Sequence, residues 1–318
     1  MNTENKGLNL PAIRKGGELS KKPTSNISSL DLNKKSAVSS ILAKPNSSIQ
    51  SVLLKREQGL DLVLVGDLTY SMQAYHELLK NKFESLCAEL FPLINNLRIG
   101  IIFYLDHIDD GTPGPDDTYI TRVQKLTSNV EELVHFIRTT STGNGYDLDE
   151  AVEDALNDLN RNMNWKESNA HSVVIFGDAS PHPTVECPFH YDFFRITQEL
   201  YLKGVTINSV YCANYPARQL QQLENISVGD FKKHILYLAA PNFFSWIANV
   251  SGGMVMGIEN IEDLVDIIKA AAAKDSGHLD DLEKKMKETS PNKLKLIDIA
   301  KAADLRRTLG GGSQKRIH

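Results

Sequence analysis

Asp67, Thr69 and Ser71 place a carboxylate and two hydroxyls at alternate positions directly behind the apolar run LDLVLVG. Side-chain oxygens at that spacing have two common uses. They cap a helix that starts there, by accepting from its free N–H groups, or they turn several hard ligands toward one cation. Mg2+ and Mn2+ take such carboxylate, hydroxyl and water oxygens in octahedral geometry. Further polar residues follow other apolar runs: Asp106, His107, Asp109 and Asp110 after IGIIFYL, and Asp178 after SVVIFG. The segment TGNGYDLDE adds Thr142, Asp147 and Asp149 just before a helical stretch.

Residues this far apart meet only if a fold gathers the ends of the runs. From residue 58 the chain alternates apolar runs of strand length (LDLVLVG, LRIGIIFYL, HSVVIFG, VTINSVY, HILYLA) with stretches whose apolar residues recur at helical spacing. The helical stretches are AYHELLKNKFESLCAELFPLI, NVEELVHFIRTT, DEAVEDALNDLNR and FFRITQELYLKG. Nearly continuous apolar strands are buried on both faces, which predicts a doubly wound α/β domain with helices covering a mostly parallel sheet. In such a sheet ligands sit outside the carboxyl ends of the strands, where strand order reverses. All the residues named above fall there.

Taken with these motifs, the chain resembles the von Willebrand factor A (vWA) family. That family's metal-ion-dependent adhesion site, or MIDAS, has an Asp-x-Ser-x-Ser loop after the first strand, which GDLTYSM matches as Asp67, Thr69 and Ser71. Its later aspartate matches Asp178 in VVIFGDASPHP, and its terminal Ser-Gly-Gly, strand and helix match VSGGMVMGIENIEDLVDII. The usual middle-loop threonine has no clean equivalent. Instead TGNGYDLDEAVEDAL, with FYLDHIDD, resembles the subgroup of A domains attached to alpha-kinases, which makes Asp147 the implied middle-loop ligand and Thr142 the alternative. Asp106, His107 and Asp149 are implied to stand near the site. The resemblance covers residues 58–274 and implies a vWA fold, a bound Mg2+ or Mn2+, and a non-enzymatic scaffold that recognises a protein partner in a multiprotein assembly.

Composition bounds the alternatives. With 41% hydrophobic and 24% charged residues, the 318-residue chain has the profile of one sizeable globular domain plus tails. The net charge of −5 is unevenly spread: ten Lys/Arg face four Asp/Glu in residues 1–57 and ten face seven in residues 275–318, leaving the middle near −14. An acidic core argues against gripping a nucleic-acid backbone. Residues 1–57, rich in Ser, Asn, Lys and Pro, read as a flexible basic segment, and residues 275–318 as a basic, partly helical tail in which Ser290-Pro291 splits two amphipathic stretches. The absence of a signal pattern or a membrane-length apolar run, together with three cysteines in no disulfide framework, leads to the expectation of a cytoplasmic protein.

Rival functions have weaker support. GDLTYS superficially resembles the Gly-Asp loop of metallophosphatases, but the Asp-x-His loop that should precede it and the Asn-His pair that should follow are missing, so a metal-dependent phosphoesterase is the second reading. A structural subunit that binds through its basic tails is the third. With no Gly-x-x-x-x-Gly-Lys-Ser/Thr loop here, any ATPase in the assembly is a separate chain. His182, Cys187 and His190 in SPHPTVECPFH read as an ordinary loop rather than a zinc set, and Trp165 and Trp246 as packing residues.

Overall fold

Six strands form one sheet in the order β3-β2-β1-β5-β7-β8. The computed structural model describes residues 55–213, 239–258 and 260–310. The chain divides into Met1–Ser47 and Ser48–His318, and every described residue lies in the second unit. The basic segment 1–57, apart from its last three residues, and the run HILYLA, apart from Ala239, therefore lie outside the described residues.

In chain order the elements are β1 (Leu60–Asp67), α1 (Gln73–Leu93), β2 (Arg98–Tyr104), β3 (Thr121–Thr127), α2 (Val130–Thr139), β4 (Asp149–Glu150) and α3 (Val152–Asn162). Then come β5 (Ala170–Gly177), β6 (Ser180–Pro181), α4 (Phe193–Leu202), β7 (Val205–Tyr211), α5 (Ala240–Ser251), β8 (Val255–Gly257), α6 (Asp263–Asp275), α7 (Leu279–Thr289) and α8 (Leu294–Gly310). All pairings in the main sheet are parallel except β2 with β3. The doubly wound, mostly parallel sheet expected from the sequence is the fold that forms.

Alternation along β1 explains the two layers. Leu60, Leu62 and Leu64 point into one core with α1, α2 and α6, while Val63 and Val65 point into the other with α3, α4 and α5. Every residue of β1 is buried, as a central strand covered on both faces requires. The tail beyond residue 275 is not a frayed appendage. Leu282 and Met286 of α7 and Ile297, Ala300 and Ala303 of α8 are buried in the first core, and Lys55 and Arg56 reach them through ion pairs to Asp304 and Asp281. Trp246 packs edge-on against Phe193 and Phe194 in the second core, and Trp165 stacks on His171.

The register carries the functional consequence. Asp67 lies beside Tyr104, Gly66 beside Phe176 and Gly177 beside Tyr211, so β1, β2, β5 and β7 end at one level. Beyond that level β4 pairs with β6, Asp149 opposite Ser180, which draws the loop before α3 against the loop after β5.

Gly253, at the turn from α5 into β8, lies so close to β7 that an added Cβ would fall 1.9 Å from the Ile207 carbonyl oxygen. Backbone cannot yield as a side chain would. Gly253→Ala is expected to cost at least the ~1–3 kcal/mol of an overpacked core, read as a lower urea midpoint; an unchanged midpoint would contradict this packing.

Candidate metal centre

Asp67 ends β1 with no solvent exposure. Its Oδ1 accepts from the Thr69 backbone N–H at 2.8 Å and the Thr69 hydroxyl at 2.7 Å, and the Thr69 and Ser71 hydroxyl oxygens lie 3.2 Å apart. The alternate spacing therefore does not cap α1: neither the short 3-10 turn Tyr70–Met72 nor α1 receives a side-chain cap. The loop instead curls over Asp67, pinned by Leu68 N–H to the Tyr104 carbonyl (2.9 Å) and by Gly143 N–H to the Leu68 carbonyl (3.1 Å). Asp67 Oδ2 is sealed from solvent and has no hydrogen-bond partner among the described residues.

Around that oxygen the structure sets more acid. A Cβ at Gly177 would lie 2.7 Å from the Tyr104 hydroxyl and 3.1 Å from Asp67 Cβ, which places the start of the Asp178 loop against Asp67. Burial, and then the Asp178 charge, push the Asp67 pKa up to about 7. Glu150 is pushed up to about 11 by burial and then by Asp67, Asp106, Asp178 and Asp147, and its Oε2 is likewise buried and unpartnered. Tyr104, its hydroxyl also unpartnered, is raised well above its ordinary value by burial and by Asp67, Glu150 and Asp178. Two buried acids and the half-buried Asp178 thus crowd one corner, which is unfavourable unless protons or a cation neutralise them. An unpartnered carboxylate oxygen beside two aligned hydroxyls fits a hard divalent cation.

The middle loop brings Thr142 near the Asp67 loop and leaves Asp147 at the surface. Thr69 bridges to Gly143, so the chain just after the half-buried Thr142 runs beside the Asp67 loop. Asp147 faces outward with its side chain 63% exposed; its Oδ1 accepts from Asp149 N–H and lies 3.7 Å from His182 Nε2. Asp149 accepts from the Ser180 hydroxyl at 2.6 Å. Asp106 accepts from His107 N–H and Tyr146 N–H, both at 2.7 Å, and so ties the middle loop to the end of β2. Asp109 and Asp110 lie on the following turn, where Asp110 accepts from Thr112.

Sequence reasoning did not find Glu150, Tyr104, Glu153 or Asp154. Acids at the start of α3 read as ordinary helix-dipole partners, and the available signal was their burial-favouring spacing inside DEAVEDAL. Glu153 and Asp154 instead join a second buried cluster. His107 and His182 stack with ring centroids 4.4 Å apart. His107 Nε2 lies 3.3 Å from Glu153 Oε1 and 3.7 Å from Asp154 Oδ2, and His182 Nδ1 lies 3.0 Å from Glu153 Oε1. Burial opposes charge on both imidazoles. Hydrogen bonds to Cys187 and Glu153 nevertheless hold His107 up to about 10, and Glu153 holds His182 up to about 9.

The molecule thus has a doubly wound α/β fold with one antiparallel edge strand and a hydroxyl-bearing loop behind β1. No protein-family model matches the sequence, and no curated protein matches it. Among solved structures, the chain is similar to proximal thread matrix protein 1 from the mussel byssus, in a form with a zinc-occupied MIDAS motif and in a second crystal form. Identity is 13% in both cases, with TM-scores of 0.42 and 0.41. Each match covers 68% of this chain but 45% of that protein, so the chain spans less than half of the mussel protein's length.

The raised Asp67 pKa fixes the sign of a pH effect. Between its ordinary 3.8 and about 7, the folded protein keeps a proton that the unfolded chain releases, so stability falls as pH rises through that window. Asn at 67 keeps the Oδ1 acceptor and removes the charge. In chelator, Asp67→Asn is expected to exceed the parent in stability by on the order of 2–4 kcal/mol at pH 8, with the gain vanishing near pH 4. Urea midpoints across that range check it, and a variant no more stable than the parent at pH 8 would contradict it.

Proposed function

We propose that this chain is a non-enzymatic interaction module of the vWA class, in which Asp67, Thr69, Ser71 and Asp178 hold one Mg2+ or Mn2+ at the carboxyl edge of the sheet and the surrounding loops recognise a protein partner. The observation that carries the reading is Asp67 Oδ2, a buried and unpartnered carboxylate oxygen beside the paired Thr69 and Ser71 hydroxyls. When bound, the ion supplies a coordination position for an oxygen of the partner. Asp67 Oδ1 orients the Thr69 hydroxyl, and Asp106 and the Leu68 carbonyl fix the middle loop.

The rim supports a protein rather than a small substrate. Among the described residues eight large hydrophobic side chains are exposed, and five of them stand on the loops at this edge: Tyr70, Tyr146, Leu148, Val185 and Phe189. Apolar side chains gathered around a polar centre mark an interaction surface. We read TGNGYDLDEAVEDAL and FYLDHIDD as a likeness to the A domains attached to alpha-kinases within this class. We further infer a cytoplasmic scaffold whose assembly draws any ATPase from a separate chain; among the described residues no helix is long and apolar enough to cross a membrane.

Calorimetric titration of the full chain with Mg2+ and Mn2+ tests the reading. One ion is expected per chain, with affinity falling at least tenfold in Asp67→Ala and in Asp178→Ala of verified fold, and with no hydrolysis of a generic phosphate ester when Mn2+ is bound. Absence of binding to the parent overturns the metal site, and turnover lost in the same variants would favour a phosphoesterase.

A further inference from the structure

We propose that His107, Glu153, Asp154 and Cys187 form a second metal site, built for a transition ion of the Zn2+ type and separate from the Asp67 centre. One ligand atom from each of the four lies within 4.8 Å of all the others. Four ligands bound tetrahedrally at about 2.0–2.3 Å stand roughly 3.3–3.8 Å apart. Two of the distances here already have that length: 3.3 Å from His107 Nε2 to Glu153 Oε1 and 3.7 Å to Asp154 Oδ2.

A second observation points independently to a ligand. Asp154 is 8% exposed, and its Oδ2 is sealed from solvent without a hydrogen-bond partner among the described residues. At 3.7 Å from His107 Nε2 it is too far for a hydrogen bond and well placed to share a metal with that nitrogen. The surroundings brace the ligands as outer groups brace metal ligands elsewhere. His182, stacked on His107, holds the Glu153 carboxylate, its backbone N–H donating to Oε2 at 3.1 Å and its Nδ1 lying 3.0 Å from Oε1. Cys187 is wholly buried because its loop is folded back by Glu186 and Cys187 N–H groups on the Pro183 carbonyl and by His190 N–H on the Cys187 carbonyl.

The donor set decides the class of ion. A thiolate and an imidazole with two carboxylates favour Zn2+, Co2+ or Fe2+ over Mg2+, which binds oxygen and keeps its water. His190, the remaining histidine of SPHPTVECPFH, faces outward with Nδ1 on the Thr184 carbonyl, so this loop contributes its cysteine and not a local zinc triad.

Co2+ is the probe, titrated into full-length Asp67→Ala and into the parent, so that failure of the first site and of this one are distinguishable. One equivalent of Co2+ is expected to produce the near-ultraviolet thiolate-to-metal band and the intense visible absorption of a tetrahedral ion in both proteins, displaced by Zn2+ and not by Mg2+. Cys187→Ser should abolish the thiolate band, and Asp154→Asn should weaken Co2+ binding at least tenfold while keeping the band at saturation. Cys212→Ala should change neither. Absence of a thiolate band in the parent and in Asp67→Ala, or its survival in Cys187→Ser, overturns the proposal.

Discussion

Asp67 and Glu150 are buried at the carboxyl edge of the sheet with the half-buried Asp178 beside them, and that crowding of acid is the constraint the rest of the molecule answers. Like charges in a dry site cannot all ionise without a counter-charge. The protein supplies hydrogen bonds from Thr69 to one oxygen of Asp67 and leaves the other without a partner. Burial, and then the neighbouring Asp178, raise the Asp67 pKa. A site arranged in this way is unfavourable for the empty fold, and a bound cation reverses its sign.

The sheet makes that corner possible. Parallel pairing aligns the ends of β1, β2, β5 and β7, so that Asp67, Tyr104 and the Asp178 loop share one level, and the short β4–β6 pairing brings Glu150 to the same place. Ion pairing at the opposite end, where Asp61 takes both nitrogens of Arg98 at 2.9 and 2.6 Å, fixes the register at the amino ends of the same strands. The carboxyl edge is therefore positioned by elements that take no part in binding.

Much of this was legible in the chain because it is local. The runs behind β1, β2, β5 and β7 are continuous and apolar since both faces of a central strand are buried, and Asp67, Thr69 and Ser71 stand at alternate positions of one loop. β3 escaped because it is an edge strand, antiparallel and largely half-exposed, so TRVQKLT has no apolar run to announce it. Asp147 was the natural middle-loop acid by motif, yet its side chain turns outward while Glu150, read as part of a helix start, turns inward. The His107, Glu153, Asp154 and Cys187 cluster joins three separate segments, and no spacing along the chain encodes it.

The proposed ion at the carboxyl edge stands between Asp67 and Asp178. Anomalous diffraction from crystals grown with Mn2+ locates such an ion without reference to affinity or activity. A Mn2+ peak is expected within about 2.0–2.3 Å of oxygens from this set, with the Thr69 and Ser71 hydroxyls facing it. A difference map with no peak there at saturating Mn2+ would contradict it and leave the buried acids as a protonated cluster.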